Sequence, residues 1–107
     1  MKSLIMLLWF SVFTVAYAQN IEPKPTTTAN PAYLAANCAN CHGSKGVVAP
    51  GGIPSLAGLQ KEYVVAQMMA FRDGKRQATI MHQLAKGYTD EQITLIAEYF
   101  AQQTAGK

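Results

Sequence analysis

Charge is scarce in this chain of 107 residues: 14% of them are charged, nine basic against six acidic. A formal net charge of +3, carried on scattered bases, is too weak a field to hold a phosphate backbone, which excludes a nucleic-acid binder. Tryptophan occurs once, as Trp9, and histidine twice, as His42 and His82. Cysteine is limited to Cys38 and Cys41, available to a disulfide, a metal or a prosthetic group that would help so short a chain. No segment alternates apolar and polar residues for long enough to predict a strand, and no internal repeat is visible. The chain therefore reads as all-α.

What is abundant is concentrated at the start. Residues 1–18 hold 14 apolar side chains, and the other 89 residues hold 39, about 44%, an ordinary globular share. Met1-Lys2-Ser3 gives a short cationic start, Leu4 to Val15 is an apolar run, and Ala16-Tyr17-Ala18 places small residues where a signal peptidase reads. This pattern predicts a cleaved export signal over 1–18. An uncleaved membrane anchor is the alternative, although the run is shorter than the roughly 20 residues that span hydrocarbon. The expected product is exported to the periplasm with no stable membrane insertion. Without Lys2 it carries eight bases against six acids, a net +2.

Residues 19–29, with two prolines and three threonines in a row, predict a flexible leader with almost nothing to bury. A single domain is expected over 30–107. Asn30-Pro31 is a helix start, Asn as cap and Pro at the first position, and the helix is predicted to run to about Cys41. Leu34, Cys38 and Cys41 share one of its faces, while Ala32, Ala35, Ala36 and Ala39 are small enough to admit a neighbouring helix. Residues 43–58 contain five glycines and two prolines, which predicts a long irregular loop. From Gln60 the helical period returns with Val64, Met68 and Phe71 and ends at Asp73-Gly74. A short helix is predicted from near Thr79 to Lys86. A last one follows Thr89-Asp90-Glu91-Gln92, a capping box, with Ile93, Ile96, Ala97 and Phe100 on its stripe.

Cys38-Ala39-Asn40-Cys41-His42 has the pattern of a covalent c-type haem attachment site. Two thiols three residues apart can each add to a vinyl group of one porphyrin, which places the following imidazole beneath the iron. A structural zinc site takes four ligands, and three candidates lie here. A thiol-exchange pair calls for a βαβ context, which is missing, and a disulfide across so short a loop constrains little. One haem would also complete the core of a domain too small to bury much apolar surface of its own.

The sixth iron position decides the chemistry, because His and Met together make the electron-transfer arrangement. Met68 falls on a helical stripe and reads as core, and Met69 as its neighbour. Met81 follows a polar bend and is assigned as the distal ligand. His82 is the rival, otherwise a surface residue on a short helix. A peroxidase or gas-binding haem would need Met81 to be labile, and no acid-base pair supports that.

Several of these residues together resemble class I cytochromes c: Cys-x-x-Cys-His-Gly at 38–43, Pro-x-Leu-x-Gly at 54–58, Tyr63 and Phe71 on a helix, Met81, and Tyr99-Phe100 on the last helix. The likeness covers residues 30–103. More narrowly, Ala78-Thr79-Ile80-Met81, Leu84 to Tyr88 and the Tyr99-Phe100-x-Gln-Gln-Thr ending are similar to the haem subunits of flavocytochrome c sulfide dehydrogenases. The resemblance implies a class I fold of four to five short helices around one covalently bound haem c, with His42 proximal and Met81 distal. It implies that the Pro54 carbonyl accepts from the other nitrogen of His42, and that Ala35 and Ala36 sit where the first helix crosses the last, against Tyr99 or Phe100. The tryptophan that holds a haem propionate in mitochondrial-type members has no counterpart, and Tyr63, Arg72, Lys75 or Arg76 are the substitutes in view. The implied function is one-electron transfer as the non-catalytic haem subunit that accepts electrons from a flavoprotein sulfide dehydrogenase. The alternative is a free-standing carrier serving a terminal oxidase or reductase.

Overall fold

A computed structural model of the chain describes residues 30–106. The expected export signal over 1–18 and leader over 19–29 lie outside the described residues. The order is α1 (Pro31–His42), a 3₁₀ turn (Ser44–Gly46), α2 (Lys61–Arg72), α3 (Met81–Leu84), a second 3₁₀ turn (Ala85–Gly87) and α4 (Asp90–Ala101). No strand occurs among the described residues. None of their helices is long and apolar enough to cross a membrane.

Local chemistry sets the helix ends. Asn30 Oδ1 accepts from the Ala32 amide at 2.9 Å and Pro31 opens α1, so an orphan donor is satisfied where proline has none to offer. Thr89 Oγ1 accepts from the Gln92 amide while the Gln92 side chain accepts from the Thr89 amide, the reciprocal capping box of α4. Asp73 caps α2, and Gly74 follows with a positive φ of 71°. α3 starts at Met81 rather than near Thr79. Ile80, its N-cap at φ −138° and ψ −29°, offers no side chain to the first turn. The loop expected to be irregular throughout 43–58 contains one regular turn, Ser44–Gly46.

α4 is the element on which the others pack. Its stripe faces two clusters: Val64, Met68 and Ala85 meet Ile93 and Ala97, while Ala35 of α1 meets Ile96 and Phe100. Ala35 is buried at the crossing beside Phe100, but Ala36 is exposed, because a step of one residue turns a side chain by about 100° around a helix. The loop after α1 is drawn under α4 by Gly46. Its carbonyl accepts from both Leu56 (2.8 Å) and Ala57 (3.1 Å), and the Gly58 amide donates to the Phe100 carbonyl at 2.9 Å. A Cβ on Gly46 would lie 2.7 Å from Phe100 Cδ1 and 2.9 Å from the Ala57 amide nitrogen, so only glycine permits this approach. Among the described residues, four of the nine buried apolar side chains are alanines. The folded chain thus has few large side chains of its own to fill a core.

Candidate haem site

α1 delivers three groups within five residues. Cys38 is half-buried against the Ala35, Ile96 and Phe100 cluster, Cys41 one turn later is exposed, and both thiols are free. Burial pushes the Cys38 thiol above its ordinary pKa, partly offset by a backbone hydrogen bond. His42, the last residue of α1, is 92% withdrawn from solvent. Its Nδ1 lies 2.7 Å from the Pro54 carbonyl oxygen, twelve residues along the chain. A carbonyl only accepts, so Nδ1 carries the hydrogen and Nε2 keeps the lone pair that a metal takes. Gly43 follows at φ 79°, where a Cβ would fall 1.9 Å from the Val47 carbonyl oxygen. Glycine after the histidine is therefore required by the way the chain leaves α1.

Met81 opens α3 and is half-buried against the cluster of Val64, Met68, Ala85, Ile93 and Ala97. Met68 is part of that cluster, as its stripe position predicts. His82, expected at the surface, is half-buried: its Nδ1 is sealed without a hydrogen-bond partner, and it lines a shallow pocket with Gly74, Arg76, Gln77 and Ala78. The bend before α3 thus lines the same pocket as that ring.

A tetrapyrrole fits the chemistry of these residues. Among the described residues no group of three or more His, Cys, Asp or Glu side chains is placed to hold a metal ion by itself, which argues against a zinc cluster built on Cys38, Cys41 and His42. Large apolar side chains, on the other hand, are left half-exposed beside the same positions. They are Ile53, next to Pro54, and Ile80 and Leu84, one helical turn apart on either side of Met81. Bare apolar surface flanking a tethered imidazole and a thioether suits a flat apolar cofactor anchored by two thiols.

Comparison with known proteins decides the family. The cytochrome c family profile matches residues 28–104. This chain belongs to the cytochrome c family. The cytochrome subunit of sulfide dehydrogenase from Chlorobaculum tepidum is 44% identical over 77 residues, covering 72% of this cytochrome and 69% of that protein. The thiosulfate dehydrogenase electron acceptor of Thiomonas intermedia is 40% identical over 68 residues, 63% of this cytochrome but only 31% of that longer chain. Cytochrome c-554(548) of Halomonas halodenitrificans is 36% identical over 69 residues, 62% of this chain and 83% of that one. The cytochrome therefore carries covalently bound haem c through the Cys38 and Cys41 spacing and works in electron transfer with redox partners, on a helical class I fold.

The cationic and phenolic residues considered for the propionates differ in freedom. Arg72 is committed between α2 and α4: it donates to Asp90 at 2.7 Å and to the Tyr88 carbonyl at 3.5 Å, and the Asp90 bond raises its already high pKa. Arg76 lies 4.7 Å over the Phe71 ring and donates to Gln67. Lys75, near Asp73, is exposed, and Tyr63 is half-exposed. The Ser55 hydroxyl, which bridges to Val48 across the loop, was not singled out in the sequence, where no spacing marks it.

Proposed function

We propose that this cytochrome is an exported, periplasmic, single-haem electron carrier acting as the haem subunit of a flavoprotein sulfide dehydrogenase. The observation that carries the reading is the 44% identity to the Chlorobaculum tepidum subunit across more than two thirds of both chains. One Cys-x-x-Cys-His motif supports one haem, and the start of the sequence supports export.

His42 and Met81 would ligate the iron, and Cys38 and Cys41 would anchor the porphyrin covalently. Bound haem supplies an iron that cycles between ferrous and ferric states. With His42 and Met81 both retained, no position would open for substrate at the metal. The Nδ1 bond to Pro54 makes His42 a more basic ligand and fixes its ring. The Met81 thioether, as an iron ligand, would raise the reduction potential relative to a second imidazole. Met81 is backed by the cluster of Val64, Met68, Ala85, Ile93 and Ala97.

The test is purification of the tagged chain from its own host, with flavin and haem assayed together. A stable flavoprotein in stoichiometric amount, one haem per chain by pyridine haemochrome, and rapid haem reduction by sulfide only with that flavoprotein present are the expected results. A chain recovered without flavin, and reduced no faster by sulfide when the flavoprotein is added, is instead the free-standing carrier.

A further inference from the structure

Residues 48–55 form a loop whose tip is unpacked. A Cβ added at Gly51 or Gly52 would meet nothing within 4 Å, and Ile53 and Pro54 are exposed. Yet this loop supplies the carbonyl that orients His42. Proline has no N–H, so Pro54 cannot be anchored through its own amide. Beyond the His42 contact, the hydrogen bonds that engage residues 48–55 among the described residues both come from one side chain. The Val48 amide donates to Ser55 Oγ at 3.1 Å, and Ser55 Oγ donates to the Val48 carbonyl at 3.4 Å. A hydroxyl thus pairs with both backbone groups of one residue, as a facing strand would, and closes the loop at its base.

We infer that Ser55 is a positioning residue for the haem iron: by locking Val48 to the residue after Pro54, it holds the Pro54 carbonyl against His42 and so helps to set the reduction potential. The inference rests on His42 being an axial ligand. On the far side the chain is fixed by the Leu56 and Ala57 bonds to Gly46 and by the burial of Ala57. On the near side it is fixed by the turn at Ser44–Gly46. Between these anchors the two bonds of Ser55 bring the two ends of the loop together. Without them the carbonyl would sample positions in which the bond to Nδ1 is long or broken. The imidazole would then donate less to the iron, and the ferric state would lose some of its preference.

The experiment uses the haem-loaded protein, its Ser55→Ala and Ser55→Thr variants, and three readouts: midpoint potential, solvent exchange of the His42 Nδ1 hydrogen by proton NMR, and unfolding midpoint. Ser55→Ala is expected to raise the potential and speed that exchange about tenfold or more, and Ser55→Thr to restore both. Wild-type potential and exchange in Ser55→Ala overturn the inference, and so does a loss of stability with neither of them moving. Should Ser55→Ala fail to mature, the wild type still decides. The Val48 amide and the His42 Nδ1 hydrogen should share one opening event and agree in protection within about threefold. A Val48 amide exchanging about a hundredfold faster than a still-protected His42 hydrogen overturns the clamp. Failure of the ligand assignment looks different. In the ferric protein a ring hydrogen on an iron-bound imidazole is shifted far outside the ordinary spectrum, and absence of that shift removes His42 from the iron, whatever Ser55 does.

Discussion

Substituting Gly46 by alanine places a methyl group where the chain passes under α4. Its Cβ would sit 2.7 Å from Phe100 Cδ1 and 2.9 Å from the Ala57 nitrogen, at φ 78°. Holding an L-residue in the left-handed region costs about 1–2 kcal/mol. Overpacking adds about 1–3 kcal/mol, toward the upper end because the Ala57 amide is backbone and cannot rotate away. The stiffer unfolded chain returns about 0.4–1 kcal/mol. The net loss is about 3 kcal/mol, which for a domain of this size lowers the unfolding midpoint by roughly 12–24 °C. Gly52→Ala is the internal control: an added Cβ meets nothing there and φ is not positive, so a gain of about 0.4–1 kcal/mol is expected. Guanidinium unfolding of the haem-loaded variants, followed by far-ultraviolet circular dichroism, measures both. A loss below about 1 kcal/mol for Gly46→Ala, or equal damage from the two substitutions, would refute the reasoning about the packing under Phe100.

Other expectations can be checked alongside it. Met81→Ala should abolish the sulfur-to-ferric-iron charge-transfer band, whereas Met68→Ala should keep the band and lose about 2–5 kcal/mol of stability as a buried core truncation. Replacing Cys38 and Cys41 together by alanine should leave a chain with no cooperative unfolding transition by circular dichroism, because nearly half of the buried apolar residues are alanines and the cofactor completes the core. Lys61→Met, which removes the part-exposed ion pair to Glu98, should cost less than about 1 kcal/mol, with the difference shrinking in high salt. Arg72 gives a pH prediction. Asp90 raises its pKa, so Arg72 keeps its proton from acid to neutral pH, and its own titration should lower stability only as pH climbs through that raised value, which unfolding measured at increasing alkaline pH checks.

Much of the fold was legible because the signals are local. Asn30-Pro31 and Thr89 to Gln92 satisfy orphan donors with neighbouring side chains, so their placement follows from adjacent residues. The α4 stripe of Ile93, Ile96, Ala97 and Phe100 is buried as its period requires. Where local signals were weak the structure departs from expectation. α3 lacks a capping side chain and is shorter than predicted, and Ala36 points away from the crossing that Ala35 occupies. His82 is half-buried and shares a pocket with a bend that no periodicity describes. Arg72, read as one possible partner for a propionate, is held between α2 and α4. Its partner Asp90 lies eighteen residues on, beyond the range of any local rule.

The sequence by itself determined the covalent chemistry of this cytochrome. Cysteine spacing on a helix, the histidine that follows it and the helix caps are properties of consecutive residues, and short-range geometry leaves them little choice. The tertiary structure decided what acts on those residues from afar. It brings a proline carbonyl from a glycine-rich loop to 2.7 Å from His42, closes that loop with a serine, and threads Gly46 beneath Phe100. Each of these contacts joins positions separated by a flexible segment, so its existence depends on how α1, α2 and α4 pack rather than on the spacing of letters in the chain.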